Sequence, residues 1–201
     1  MNDLSRAEIR RLLSEQTEPR LENPYPAGFF EQPLREAAVL LPLTWFEGGW
    51  KLLFIRRSEN DHDLHGGQVA FPGGARDRAD IDLRATALRE AAEEIGLREA
   101  DVELLGSLRE FVAISNYRVT PWVAAFPWPY QFSPDPAEVA HIFTIPLDWL
   151  ADPGHREIKY RQASDKAAWP VIYFSPYEGE VLWGFTARLT VEFLEVLGGS
   201  A

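Results

Sequence analysis

Residues 73–97 read GGARDRADIDLRATALREAAEEIGL, and the way this stretch must fold decides the reading of the whole chain. From 84 to 95 the apolar and small residues recur at helical spacing, and Gly96 stands where a left-handed residue closes a helix. At about 100° per residue, Glu90, Glu93 and Glu94 fall within one arc of about 100°. Leu88, Ala91, Ala92 and Ile95 fall on the opposite side. The helix is therefore expected to pack by that apolar face and to present three carboxylates outward together. Carboxylates at i,i+3 and i,i+4 repel by a few tenths of a kcal/mol per pair, and near a helix C-terminus they also oppose the macrodipole. Two local rules broken at one place mark function.

A hard divalent cation would remove both conflicts. Mg2+ takes oxygen ligands in octahedral geometry, combining carboxylates with waters and substrate phosphate oxygens. Glu90 and Glu94, one turn apart, can reach a common ion, and Glu93 can join them. A bare E-x-x-E-E is equally the pattern of a solvated acidic face, so its surroundings decide. Gly73 and Gly74 follow Phe71-Pro72, and such a pair can turn the chain so that backbone groups approach a ligand closely.

Composition narrows the classes. The chain has 201 residues, 46% of them hydrophobic, which is enough for one sizeable core spanning 1–201. Lys and Arg total 20 against 31 Asp and Glu, a net charge of −11 that argues against nucleic acid as a partner. A small phosphorylated substrate stays open if a cation screens the repulsion. Cys is absent, which excludes disulfides, thiolate nucleophiles and zinc–thiolate sites. Apolar runs such as 37–43 fall far short of the roughly 20 residues a bilayer needs, so no membrane partner is expected. The first residues lack a basic segment followed by an apolar one, and the expected location is cytoplasmic.

Outward from the helix, strands and helices mix irregularly, which predicts an α/β (α+β mixed) class with a mixed sheet. Residues 4–16 read as an amphipathic helix, followed over 17–33 by a proline-rich arm, so that 1–35 form an N-terminal appendage to the domain. That arm is open to two roles, a homodimer interface or a cover for the sheet. The segments 37–46 and 50–56, separated by Glu47-Gly48-Gly49, predict a hairpin. A polar loop follows, then a glycine-rich turn from Gly66 to Gly74. Further strands are expected at 102–105, 111–114, 117–126, 139–145 and 171–174, with 181–183 closing a Pro-Tyr-Glu-Gly turn. A short helix or turn is expected at 146–150 and a longer helix over 186–196.

The spacing from Gly74 to Leu97 resembles the signature of the Nudix hydrolases, G-x5-E-x7-R-E-U-x-E-E-x-G-U, with U a bulky aliphatic. Gly74, Arg89, Glu90, Glu93, Glu94, Gly96 and Leu97 match it, whereas Asp80 replaces the first Glu, the second spacer is one residue longer, and Ala91 fills an aliphatic position. The resemblance implies an α/β/α sandwich around a mixed sheet, and hydrolysis of a nucleoside diphosphate joined to another moiety. It implies Mg2+ or Mn2+ as cofactor, held by Glu90, Glu93 and Glu94 with the Gly73 carbonyl as a further ligand. Arg89 would orient a neighbouring glutamate by an ion pair. Glu138, outside the box, is the candidate to complete the metal site or act as base, with Glu93 as the alternative within the box.

Upstream, Leu52-Leu53-Phe54-Ile55-Arg56 and Gly67-Gln68-Val69-Ala70-Phe71-Pro72-Gly73-Gly74 resemble the element preceding the box in coenzyme A pyrophosphatases. This implies coenzyme A or its thioesters as substrate, with 3′,5′-ADP and 4′-phosphopantetheine as products. Asp63 stands where that subfamily carries Arg, so a basic contact to the 3′-phosphate would fall to Arg56 or Arg57. Gly74 and Tyr117 complete the expected substrate contacts, Tyr117 as a ring for adenine or as a core aromatic. ADP-ribose or NADH is the alternative substrate. His62 and His65 in the same loop read as solvent-exposed. A non-catalytic nucleotide-binding module on the same fold is the rival, and such modules lose box carboxylates that are all present here.

Overall fold

The computed structural model describes the chain except residues 2, 17–20, 22, 24, 26–28, 31, 60–65, 162–167 and 199–201. Helix α1 (Arg6–Ser14) opens with a capping box: the Ser5 hydroxyl accepts from the Glu8 N–H, and the Glu8 carboxylate accepts from the Ser5 N–H. The long hairpin of β1 (Arg35–Phe46) and β2 (Gly49–Arg57) follows, then β3 (Val69–Ala70), β4 (Gly73–Ala75) and helix α2 (Leu83–Ile95). Strands β5 (Glu103–Ser107), β6 (Phe111–Ala113), β7 (Tyr117–Ala125) and β8 (Val139–Pro146) lead to the short helix α3 (Leu147–Ala151). The chain ends in β9 (Arg156–Arg161), β10 (Trp169–Phe174) and helix α4 (Gly184–Val196).

Eight strands form one mixed sheet in the order β3-β2-β1-β7-β5, with β4 also on β1, β6 on β7 and β8 on β2. The β1–β7 pair is parallel from Arg35↔Tyr117 to Leu43↔Ala125, and the other pairs are antiparallel. Strand β1 is buried on both faces, which is why AAVLLPL reads as a continuous apolar run without alternation. Ala38 and Leu40 meet α2 in one core cluster with Leu53, Ile55 and Ala91. Leu41 and Leu43 meet residues of α1, α3 and α4 in the other, with Phe54 and Phe111. The result is the expected α/β/α sandwich.

Pro42 within a central strand needs a reason, because a proline cannot donate to a ladder. Strand β1 pairs with β4 as far as Val39↔Gly73 and with β2 only from Leu43↔Leu52. The Leu40 N–H donates to Pro72 O at 2.8 Å, while Leu43 O on the other side accepts from Phe126 N at 2.9 Å. Even-numbered positions of β1 therefore address the β4 and β2 side, and Pro42 falls in the gap between those partners. The N–H that Pro42 lacks would have met no strand there.

Two expectations change. The glycine-rich turn contains two strands, β3 and β4, because residues 69–75 bridge the gap where β2 leaves β1. Strand β9 has no clear sequence signal because REIKYR alternates charge with isolated apolar side chains that stay exposed; among the described residues it pairs with β10 in a separate two-stranded sheet. The Pro-Tyr-Glu-Gly turn is closed by a Tyr177↔Glu180 bridge. In the arm, the described rings of Tyr25, Phe29 and Phe30 cluster with Trp169 of β10. Among the described residues no helix is long and apolar enough to cross a membrane.

Phe54 is fully buried and stacks on Phe71 at 4.8 Å between ring centroids. Phe54→Ala is expected to lower unfolding free energy by about 3–5 kcal/mol in urea titrations. Ile158→Ala, at a side chain 61% exposed, is expected to stay within about 0.5 kcal/mol of the parent.

Candidate active site

Strand β4 lies so close to β1 that a Cβ on Gly73 would sit 2.4 Å from Ala38 O and 2.6 Å from Val39 Cα. Only glycine fits. The chain then turns into α2, whose N-cap Asp82 accepts from the Ala85 N–H at 2.7 Å and whose C-cap Gly96 is left-handed at φ 70°. This frame holds the box helix against β1 and β4 and aims its Glu90 and Glu94 at the glycine pair.

Glu94 is not on the outward face that helical spacing predicted. Its side chain is 2% exposed, with Oε2 accepting from the Gly73 N–H at 2.9 Å and Oε1 3.6 Å from Arg57 Nη1. The helix tilts this edge into the sheet, so burial is what the acidic arc gains. Burial pushes the Glu94 carboxyl up to about 8, opposed by the Gly73 N–H and Arg57 and reinforced by the charges of Glu90 and Glu138. Glu90 is also raised, first by burial, although Arg89 Nη1 lies 2.8 Å from its Oε1. A Cβ on Gly74 would stand 2.6 Å from the Glu90 carboxylate, so the second glycine keeps space open for that group.

Glu138 reaches the same place from another element. The loop before β8 hangs from the end of α2 through Ser133 N–H to Ile95 O (3.0 Å) and Asp135 N–H to Glu94 O (2.9 Å). Those bonds satisfy carbonyls that a helix C-terminus leaves open. The far end is tied to the end of β2, where Ser58 N–H donates to Glu138 O at 2.9 Å and Ser58 Oγ to Pro136 O at 2.9 Å. Glu138 is exposed, yet close enough to raise both Glu90 and Glu94.

Arg89 counters this negative charge. Its Nε and Nη2 grip Asp80 Oδ1 and Oδ2, each at 3.0 Å, and Nη2 also donates to Ala75 O at 3.2 Å. Its Nη1 contacts Glu93 Oε2 at 2.9 Å as well as Glu90. Asp80 further accepts from Thr86 Oγ1 and the Asp77 N–H, each at 2.9 Å, and Arg89 above all holds its carboxyl far below the ordinary range. The shorter side chain and the longer spacer thus reach the arginine together, a role that spacing alone did not reveal. The bidentate grip fixes Arg89 against Asp80. Glu93 is 61% exposed and held outward by Arg89, so it stands apart from Glu90 and Glu94. Among the described residues, no three acidic or histidine side chains are gathered tightly enough to count as a formed metal cluster.

The expected substrate contacts divide. Arg57, like Leu53 and Ile55, faces α2 and meets Glu94; Arg56 faces the other side with Phe54 and pairs with Glu180 at 3.0 Å. Glu180 is shared with His141 Nε2 at 3.1 Å. Tyr117 also lies on the side away from α2, packed against Ala37, Ala113 and Val119, and Arg35 stands 4.7 Å over its ring. Its surroundings make it a core aromatic that carries an arginine. His62, Asp63 and His65 lie outside the described residues.

A NUDIX domain matches residues 33–166. The uncharacterised Nudix hydrolase NudL of Photorhabdus laumondii is 37% identical over 170 residues, covering 85% of this chain and 89% of the relative. The chain belongs to the Nudix hydrolase family. NudL of Pectobacterium atrosepticum is similar at 38% identity over 158 residues, 77% of this chain and 79% of that one. The Nudix hydrolase RenU of M. smegmatis shares the fold with a TM-score of 0.50 and 25% identity, over 60% of this chain and 76% of RenU. A Nudix hydrolase acts on pyrophosphate bonds of small-molecule nucleotides, and the family generally uses divalent ions such as Mg2+ or Mn2+.

Because the Asp80 carboxyl is depressed on folding, its contribution is present above the ordinary aspartate pKa and is lost as pH falls through that range. Asp80→Asn is expected to lower stability by roughly 1.5–3 kcal/mol at pH 7. The gap between variant and parent should narrow below about pH 4, as urea titrations across pH will show.

Proposed function

We propose that this Nudix hydrolase cleaves the pyrophosphate of a nucleoside diphosphate linked to another moiety, with coenzyme A or its thioesters as substrate. The observation that carries the reading is the Glu94 carboxylate, buried against the Gly73 N–H with Glu90 and Glu138 beside it. Three mutually repelling carboxylates, two of them desolvated, suit a hard divalent cation and little else. Glu90 and Glu94 would hold Mg2+ or Mn2+, with the Gly73 carbonyl and, after release from Arg89, Glu93 as further ligands. When bound there, the ion neutralises the diphosphate and polarises an attacking water.

The chain's own residues supply the rest. Glu138, exposed and close enough to act on the charges of Glu90 and Glu94, would take the proton from water during in-line attack on phosphorus. Glu94 is fixed by Gly73, and Arg89 keeps Glu90 in place while Asp80 fixes Arg89. Arg57, beside Glu94 on the same side, would also contact a phosphate oxygen. The coenzyme A reading is supported by the segment from Leu52 to Gly74, and the products would be 3′,5′-ADP and 4′-phosphopantetheine. Asp63, in place of a basic residue, favours ADP-ribose or NADH as the second reading.

Mass spectrometry of products after incubation with Mg2+ or Mn2+ and coenzyme A, ADP-ribose or NADH separates the readings. Release of 4′-phosphopantetheine faster than turnover of the other two is expected. Turnover of ADP-ribose or NADH alone would overturn the coenzyme A assignment. Glu94→Gln keeps an acceptor for Gly73 N–H, so its circular dichroism should match the parent while kcat/KM falls by about 100-fold or more. An unchanged rate would remove Glu94 from the metal site.

A further inference from the structure

Beyond Ala75, the start of β1 and the connection from β4 to α2 enclose a groove of about 410 Å3 lined by Arg35, Glu36, Ala75, Arg76, Asp77 and Arg78. The sheet sets its place: Ala75 pairs with Ala37, and the Arg76 N–H donates to Glu36 O at 3.0 Å. Two residues of extended chain separate Arg76 from Gly74, about 7 Å along the strand. The groove follows Gly74 along the same strand and shares no acidic side chain with the carboxylate site, and its Arg35 lies with Tyr117 on the side away from α2.

Its charges do not cancel. Glu36 is already engaged, with Arg76 Nη1 at 2.8 Å on one oxygen and Arg118 Nη2 at 2.7 Å on the other, and these arginines hold its carboxyl below the ordinary range. Arg118 is in turn shared with Glu110 at 3.8 Å. Asp77 turns Oδ1 to the Ala79 N–H at 2.8 Å, within its own turn. Arg35 has the Tyr117 ring as its partner and no carboxylate, and Arg78 has neither among the described residues. With Arg76 set against Glu36, and Asp77 offsetting one of Arg35 and Arg78, the lining keeps a net charge of +1 in a chain of net charge −11. Guanidinium forks match the oxygens of a phosphate better than any other anion in a nucleotide.

We infer that this groove is an anion subsite for a phosphate monoester carried by the substrate elsewhere than in its diphosphate. Arg35 and Arg78 bind that phosphate, and Tyr117 positions Arg35. The inference rests on reading the carboxylate site as the place of the diphosphate, and it supplies the basic contact that Asp63 does not.

Titration calorimetry with 3′,5′-adenosine bisphosphate and 5′-AMP tests it, because the two differ by one phosphate monoester and neither needs turnover. The parent is expected to bind the bisphosphate about tenfold tighter. Arg78→Ala alone, on an exposed turn, should lose part of that difference. Arg35→Ala combined with Arg78→Ala should abolish it while 5′-AMP affinity stays within about twofold. Equal affinity of the parent for both nucleotides overturns the inference, as does equal weakening of both in the double variant. Inorganic phosphate binding as tightly as the bisphosphate, in a manner lost with Arg35 and Arg78, would make the groove a site for free phosphate and also overturn it. A parent that keeps the tenfold difference yet hydrolyses none of the tested pyrophosphates would refute the proposed function and leave the subsite standing.

Discussion

The approach of Gly73 to β1 is the constraint on which the site depends. A backbone that comes within 2.4 Å of where a Cβ would lie can only be glycine, and that closeness brings the Gly73 N–H onto Glu94. One donor then holds a carboxyl that burial still pushes up to about 8. From this contact follow the seat of α2 on β1 and β4, the room left at Gly74 for Glu90, and the side on which Glu138 arrives.

Electrostatics around that contact divides into two halves. On one side Glu90 and Glu94, both desolvated, repel each other and the exposed Glu138. On the other Arg89, gripped at two points by Asp80, presents its remaining N–H groups to Glu90, Glu93 and Ala75 O. The first half concentrates negative charge, and the second ties the helix to the turn at Asp80 beside it. The negative balance of the chain makes the groove of Arg35 and Arg78 the exception on this edge of the sheet.

Much of this was legible in the sequence, for reasons that can be named. Helix α2 and its Gly96 stop show in periodicity and cap chemistry, and the hairpin of β1 and β2 shows in two apolar runs around Glu47-Gly48-Gly49. Strands β3 and β4 did not, because glycine in a strand looks like a turn until the neighbouring backbone that requires it is known. Spacing placed Glu90 and Glu94 together but could not say that one of them is buried, since burial depends on the tilt of the helix against the sheet. Arg56 and Arg57 are adjacent in sequence and opposite in space, as strand geometry demands. Asp80 looked like a defect in the motif and is the anchor of Arg89, because a shorter acid and a longer spacer compensate only in three dimensions.

The loop at 133–138 behaves as a strut of fixed length. It is fastened to the last turn of α2 at one end and to Ser58 at the other, so the helix, the end of β2 and Glu138 form one mechanical unit. Insertions are absorbed without consequence where a loop swings freely; here one added residue would uncouple Glu138 from Glu94 while leaving both present in the sequence. Chain length in this short segment is therefore as much a part of the site as the acids themselves.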